Sequence, residues 1–129
     1  MDYNRKSYRW IGVNNSIQFD TYLQHALGWC GSASLDKQLS QVTTFSDLKT
    51  GDVFIKGDFP GHAMIVTDMA INPKGEKVFM LIQGYQPAQD IHIVINPMDQ
   101  EFSPWYQLTS ENEIYTPEWT FQTSQLHKW

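Results

Sequence analysis

The residues of this chain best suited to nucleophilic and acid–base chemistry are its single cysteine, Cys30, and its four histidines. Catalysis by a thiol needs a thiolate, a histidine within hydrogen-bond reach, and a polar group that orients the imidazole. Cys30 stands in Trp29-Cys30-Gly31, just ahead of a stretch read as a short helix. Unsatisfied backbone N–H groups and the dipole at a helix start lower a thiol pKa. His62 opens an apolar run after the Gly57–Gly61 turn, and Gln83 closes the next such run. In this pattern Cys30 attacks a carbonyl, and His62 takes and returns the proton. Gln83 or Asp90 orients the imidazole, and backbone N–H groups near Cys30 hold the oxyanion. The catalytic candidates are therefore Cys30, His62 and Gln83.

Downstream of Gln83 the chain reads Gly84-Tyr85-Gln86-Pro87-Ala88-Gln89-Asp90. Amides and an acid set between a glycine and a proline suggest a shaped polar loop of the kind that reads a ligand. Tyr85, Gln86, Gln89 and Asp90 are the ligand-binding candidates. Each singled-out residue also has a plain structural reading. Cys30 beside Trp29 suits a small buried hydrophobe, and His62 suits a strand cap. Asp90 and His92 bracket one residue and share a strand face, which suits a surface ion pair better than a metal site completed by His62. No metal and no cofactor are expected.

The elements that must carry these groups follow from turn signals and periodicity. Residues 1–15 offer a short edge strand around Tyr8, Trp10, Ile11 and Val13. Ser16 is suited to cap a helix bearing Phe19, Tyr22, Leu23, Ala26 and Leu27, ended by Gly28. Ser32 or Ser34 caps a second helix with Leu35, Leu39 and Val42 on one face. Strands are expected at 53–55, 62–71, 78–83 and 91–95, with a hairpin turn at Asn72-Pro73-Lys74-Gly75. With that turn centred between Pro73 and Lys74, His62 falls at the level of Gln83 to Tyr85. The tail, rich in Phe, Trp and Tyr, is expected to pack over the sheet rather than hang free. These elements define one domain over residues 1–129, of class α+β, with an N-terminal helical pair followed by a curled antiparallel sheet.

Composition narrows the partners. The chain has 129 residues, is 41% hydrophobic and 14% aromatic, and carries a formal charge of −5, so a folded core is expected and a nucleic-acid partner is not. No apolar run approaches transmembrane length, and Met1-Asp2-Tyr3-Asn4-Arg5-Lys6 lacks a signal-peptide core. Membrane insertion is not expected, and the location is cytoplasmic unless a targeting segment is missing.

Two resemblances bear on function. GDVFI followed by GHAMIV resembles papain-like amidases of the cysteine/histidine-dependent type. That resemblance implies a papain-like fold and hydrolysis of peptide or cell-wall amides, with a non-catalytic peptide- or glycan-binding module in the same cleft as the alternative. The ordered words GDVFI, FPGHA, GEKVFMLIQGYQPAQDIHI, SPWY and TPEWTF, spread over most of residues 50–121, resemble an uncharacterised bacterial family of domains of unknown function. This second resemblance implies one coherent domain and names no reaction.

Overall fold

A computed structural model describes residues 2–3, 6–7, 31–85 and 89–129 of the chain. The chain divides into two compact units, Met1–Gly31 and Ser32–Trp129. In the first, strands β1 (Asp2–Tyr3) and β2 (Lys6–Ser7) pair antiparallel. The edge strand expected around Tyr8–Val13 and the helix expected behind Ser16 lie outside the described residues.

The second unit opens with helix α1, Ser32–Gln38, whose last turn carries Lys37 where the helix end favours a positive charge. Strands β3 (Ser40–Gln41), β4 (Val53–Lys56), β5 (His62–Ile71), β6 (Lys77–Tyr85) and β7 (Gln89–Ile93) follow. The segment expected as an aromatic tail then forms four more: β8 (Tyr106–Gln107), β9 (Glu113–Tyr115), β10 (Thr120–Gln122) and β11 (Leu126–Lys128). The main sheet runs in the order β3-β11-β4-β5-β6-β7, with β8 pairing β6, and β9 and β10 form a separate hairpin. Every pairing is antiparallel.

This overturns the expected α+β class with an N-terminal helical pair and a papain-like sheet. Among the described residues the unit is mostly β, with nine strands and one α-helix of seven residues. The cause lies in the C-terminal third. Its strands are two or three residues long, too short for the alternation that marks a strand in sequence. One of them, β11, inserts between β3 and β4 inside the sheet.

The hairpin β5–β6 is found where expected. Asn72 builds its turn: Oδ1 accepts the backbone N–H of Lys74 (3.0 Å) and Glu76 (2.9 Å), and its carbonyl accepts Gly75 N–H (2.9 Å). Gly75 takes φ +83°, a conformation costly to any residue with a Cβ. From the turn, Ile71 pairs with Lys77 and Asp68 with Met80. A bulge at Thr67 then shifts the register by one, so that Val66 pairs with Leu81 and Ile65 with Ile82. The turn is thus centred on Lys74, half a residue later than expected, and the bulge restores the expected register beyond it.

That bulge decides which side chains share a face. His62, Met64 and Val66 lie on the same side as Phe79, Leu81 and Gln83; without the extra residue Gln83 would face the other way. On this side sits the core, where Phe54, Met64, Val66, Phe79, Leu81, Phe121 and Leu126 are fully buried. The Phe54 ring lies 6.2 Å from Phe79 and 5.8 Å from Phe121, and Tyr106 stacks on Phe79 at 5.7 Å. The tail does pack over the sheet through Tyr106, Ile114 and Phe121, while Trp129 remains exposed.

Candidate functional site

The core face does not stay apolar to its end. Beyond Phe54, Met64, Leu81 and Val94, the same face continues into Lys56, His62, Gln83 and His92. The register makes this unavoidable: Lys56 pairs with His62, and Gln83 with His92. Four adjacent strands thus end in polar side chains at one end of the sheet.

His62 Nε2 and Gln83 Oε1 are 2.6 Å apart. An amide oxygen only accepts, so the imidazole donates through Nε2–H. Gln83 is buried, with 7% of its surface exposed, so its amide has few alternatives to its two histidine neighbours. Its Nε2 lies 3.3 Å from Nε2 of His92, and Nδ1 of His92 lies 2.8 Å from the backbone carbonyl of Asp90. The Trp119 indole covers His62, with ring centroids 5.1 Å apart and planes inclined by 10°. Lys56 Nζ sits 5.9 Å from the centre of the Trp119 ring, within reach of a cation–π attraction.

Trp119 comes from the tip of the β9–β10 hairpin. There Thr116 Oγ1 donates to the carbonyl of Trp119 (2.6 Å) and accepts its N–H (3.2 Å), closing the turn. The indole Nε1–H is buried and has no hydrogen-bond partner among the described residues.

The loop before His62 is clamped to α1. A methyl group added at Gly61 would stand 2.2 Å from Ser32 Oγ, 2.5 Å from the Asp58 carbonyl and 2.6 Å from the Lys56 carbonyl. Only glycine fits there, and the fit seats the chain entering His62 against the first residue of the helix.

The expected site residues distribute as follows. His62 and Gln83 meet. Of the two groups expected to orient the imidazole, Gln83 touches it, whereas Asp90 is exposed and engages His92 through its carbonyl. Cys30 and Gln86 lie outside the described residues. Tyr85 and Gln89 are described by backbone alone, paired across β6 and β7. Sequence reading missed Lys56 and Trp119 and weighed His92 only as a metal ligand or as an ion-pair partner of Asp90, whereas the structure sets it against Gln83 and the Asp90 carbonyl. The word TPEWTF held Trp119 in view, but nothing local says that its hairpin folds back over His62. Among the described residues no three His, Cys, Asp or Glu side chains cluster to hold a metal, and no helix is long and apolar enough to cross a membrane. A cavity of about 500 Å³, lined by Ile71, Glu76, Phe102 and Leu108 among others, lies at the turn end of the β5–β6 hairpin, away from His62.

Fold and site together define a mostly β domain that ends its core face in a histidine–glutamine–histidine chain. The chain belongs to the family described as Domain of unknown function (4846), whose family model matches residues 5–128. The match bears out the resemblance to an uncharacterised domain family. No curated protein and no solved structure matches the chain.

Proposed function

We propose that this chain hydrolyses amide bonds of peptide or cell-wall type, with Cys30 as nucleophile, His62 as general base and acid, and Gln83 as the group that orients the imidazole. The observation that supports it is the 2.6 Å bond between His62 Nε2 and Gln83 Oε1. With the proton held on Nε2, the lone pair resides on Nδ1, the atom that would receive the thiol proton. A buried amide suits this role, because it fixes the ring without adding a charge. The seating of Gly61 on Ser32 brings the start of α1 beside the entry to His62, and Cys30 precedes Ser32 by two positions in the sequence.

In the reaction so read, the Cys30 sulfur bonds to the amide carbon as its proton passes to His62 Nδ1. The carbonyl π pair moves onto oxygen. Collapse breaks the C–N bond, and His62 returns the proton to the departing amine. Water, deprotonated by His62, then attacks the thioester and frees the acid and the thiol.

The test is the rate of Cys30 alkylation by iodoacetamide across pH in the wild type, His62→Ala and Gln83→Ala. An activated thiol reacts well below the pH at which a free cysteine ionises, about 8.5. The reaction at neutral pH is expected to fall about tenfold or more in both variants. An inert thiol, or one whose reactivity ignores His62, overturns the catalytic reading and leaves a non-catalytic peptide- or glycan-binding module at the same residues, a role favoured by the Trp119 ring plane.

A further inference from the structure

We propose that His92 is a positioning residue for His62, acting through Gln83 to decide which imidazole nitrogen of His62 carries the proton. For its functional meaning the inference rests on His62 serving as the base; the geometry that it invokes does not depend on that reading.

A carboxamide has two ends of nearly equal shape, one donor and one acceptor, and only its neighbours decide which way round it sits. Here the decision starts at a backbone atom. The Asp90 carbonyl can only accept, so His92 Nδ1, 2.8 Å away, carries a proton. In a neutral imidazole the other nitrogen is then an acceptor. His92 Nε2 must therefore face a donor, and Gln83 presents its NH₂ there at 3.3 Å. The amide oxygen is left facing His62 at 2.6 Å, and oxygen only accepts. His62 in turn must donate through Nε2–H and hold its lone pair on Nδ1. Each link removes the alternative at the next, so the polarity of the chain is set from the Asp90 carbonyl inward.

Between Gln83 and its two histidine neighbours, the reverse arrangement keeps both hydrogen bonds and is chemically opposite. If position 92 offered a donor, Gln83 would turn over and aim its NH₂ at His62 Nε2. The His62 proton would move to Nδ1, the atom that the proposed reaction needs unprotonated. Gln83 alone cannot discriminate between these states. His92 supplies the discrimination while standing two hydrogen bonds away from Nδ1 of His62.

The experiment uses the full chain, labelled with ¹⁵N, at about pH 8, where imidazoles are largely neutral. Long-range ¹H–¹⁵N correlation spectra report which ring nitrogen of His62 is protonated. The variants are His92→Glu, which at that pH only accepts, and His92→Lys, which only donates. Position 92 is exposed, and backbone amide spectra monitor the fold of each variant. The wild type and His92→Glu are expected to show His62 protonated on Nε2, and His92→Lys to show it protonated on Nδ1. A His62 that keeps one tautomer through all three proteins, or is protonated on Nδ1 in the wild type, overturns the proposal. Iodoacetamide alkylation of Cys30, run in parallel, separates the two readings. It is expected to slow about tenfold in His92→Lys alone. A tautomer that switches while the alkylation rate does not sustains the positioning role and sinks the hydrolase.

Discussion

His62 is fixed by an oxygen at one nitrogen and by an indole across its ring, and the two supports differ in kind. Gln83 sets the direction of a proton; Trp119 sets the plane of the ring and shields it from water. The indole N–H is buried without a partner among the described residues, which is a standing cost of about 1–3 kcal/mol for a desolvated donor. Trp119→Phe keeps an aromatic plane and deletes that donor, so its stability in urea denaturation is expected to equal or exceed that of the wild type. Trp119→Ala removes the plane and is expected to cost about 2–4 kcal/mol. A loss in the phenylalanine variant as large as that in alanine would mean that the N–H has a partner of real worth. At this scale the pairing of His62 with Gln83 was legible in sequence, because both flank one hairpin whose turn residues announce themselves. Trp119 was not, since its approach depends on a hairpin formed some sixty residues downstream of His62 whose strands have three residues each.

Among elements, β5 carries the most consequence. One extra residue, Thr67, lets a turn centred on Lys74 deliver Gln83 to the face of His62, and no sequence signal marks it. The strands themselves were legible: β4, β5, β6 and β7 stand within a residue or two of the apolar runs that predicted them, because such runs bounded by turn residues mark strands whether they alternate or, like β4, are buried throughout. The register at the site agreed only because an offset at the turn and the bulge cancel. The bulge is therefore open to a direct test. Thr67→Ala retains the residue count and is expected to change stability by no more than about 0.5 kcal/mol. Deleting Thr67 forces either His62, Met64 and Val66 or the strand beyond them onto the wrong face. The deletion is expected to yield no cooperatively folding protein in thermal melts monitored by circular dichroism. Recovery of a wild-type melt after deletion would show that the hairpin re-registers without penalty. Gly61 is the second sensitive point. Gly61→Ala sets a methyl against two backbone carbonyls that cannot swing away, and the loop must leave the helix start. A loss of about 1–3 kcal/mol is expected in urea denaturation.

For the molecule as a whole, the misjudged class traces to treating residues 98–129 as cover when they are also sheet. Tyr106 shows both roles at once: it pairs with Phe79 across β8 and β6, stacks on that ring, and donates its hydroxyl proton to the Ile95 carbonyl at 2.6 Å. Burial pushes its pKa well above the usual tyrosine value. The exposed Tyr115 is also raised, by its hydrogen bond to Glu113, and that carboxylate is lowered by accepting from Tyr115 and Gln122. These directions set the sign of each group's contribution to stability across pH. A carboxyl lowered by folding gives stability that is present above its unfolded value, about 4.3, and is lost as pH falls through the folded value. A phenol raised by folding gives stability that is present below about pH 10 and is lost as pH rises, because the unfolded chain then releases a proton that the native state retains. These groups should therefore contribute one loss of stability as pH falls below about 4.3 and another as it rises above about 10, read by denaturation across pH. Tyr106→Phe isolates the buried share of the alkaline fall. Near neutral pH the wild type is expected to be the more stable by about 1 kcal/mol, the worth of the bond to Ile95. Above about pH 10 that advantage should shrink at up to about 1.4 kcal/mol per pH unit, until the phenylalanine variant becomes the more stable protein. A difference that stays constant through the alkaline range would mean that the Tyr106 phenol titrates as freely in the folded chain as in the unfolded one, and that the β6–β8 end of the core is open to water.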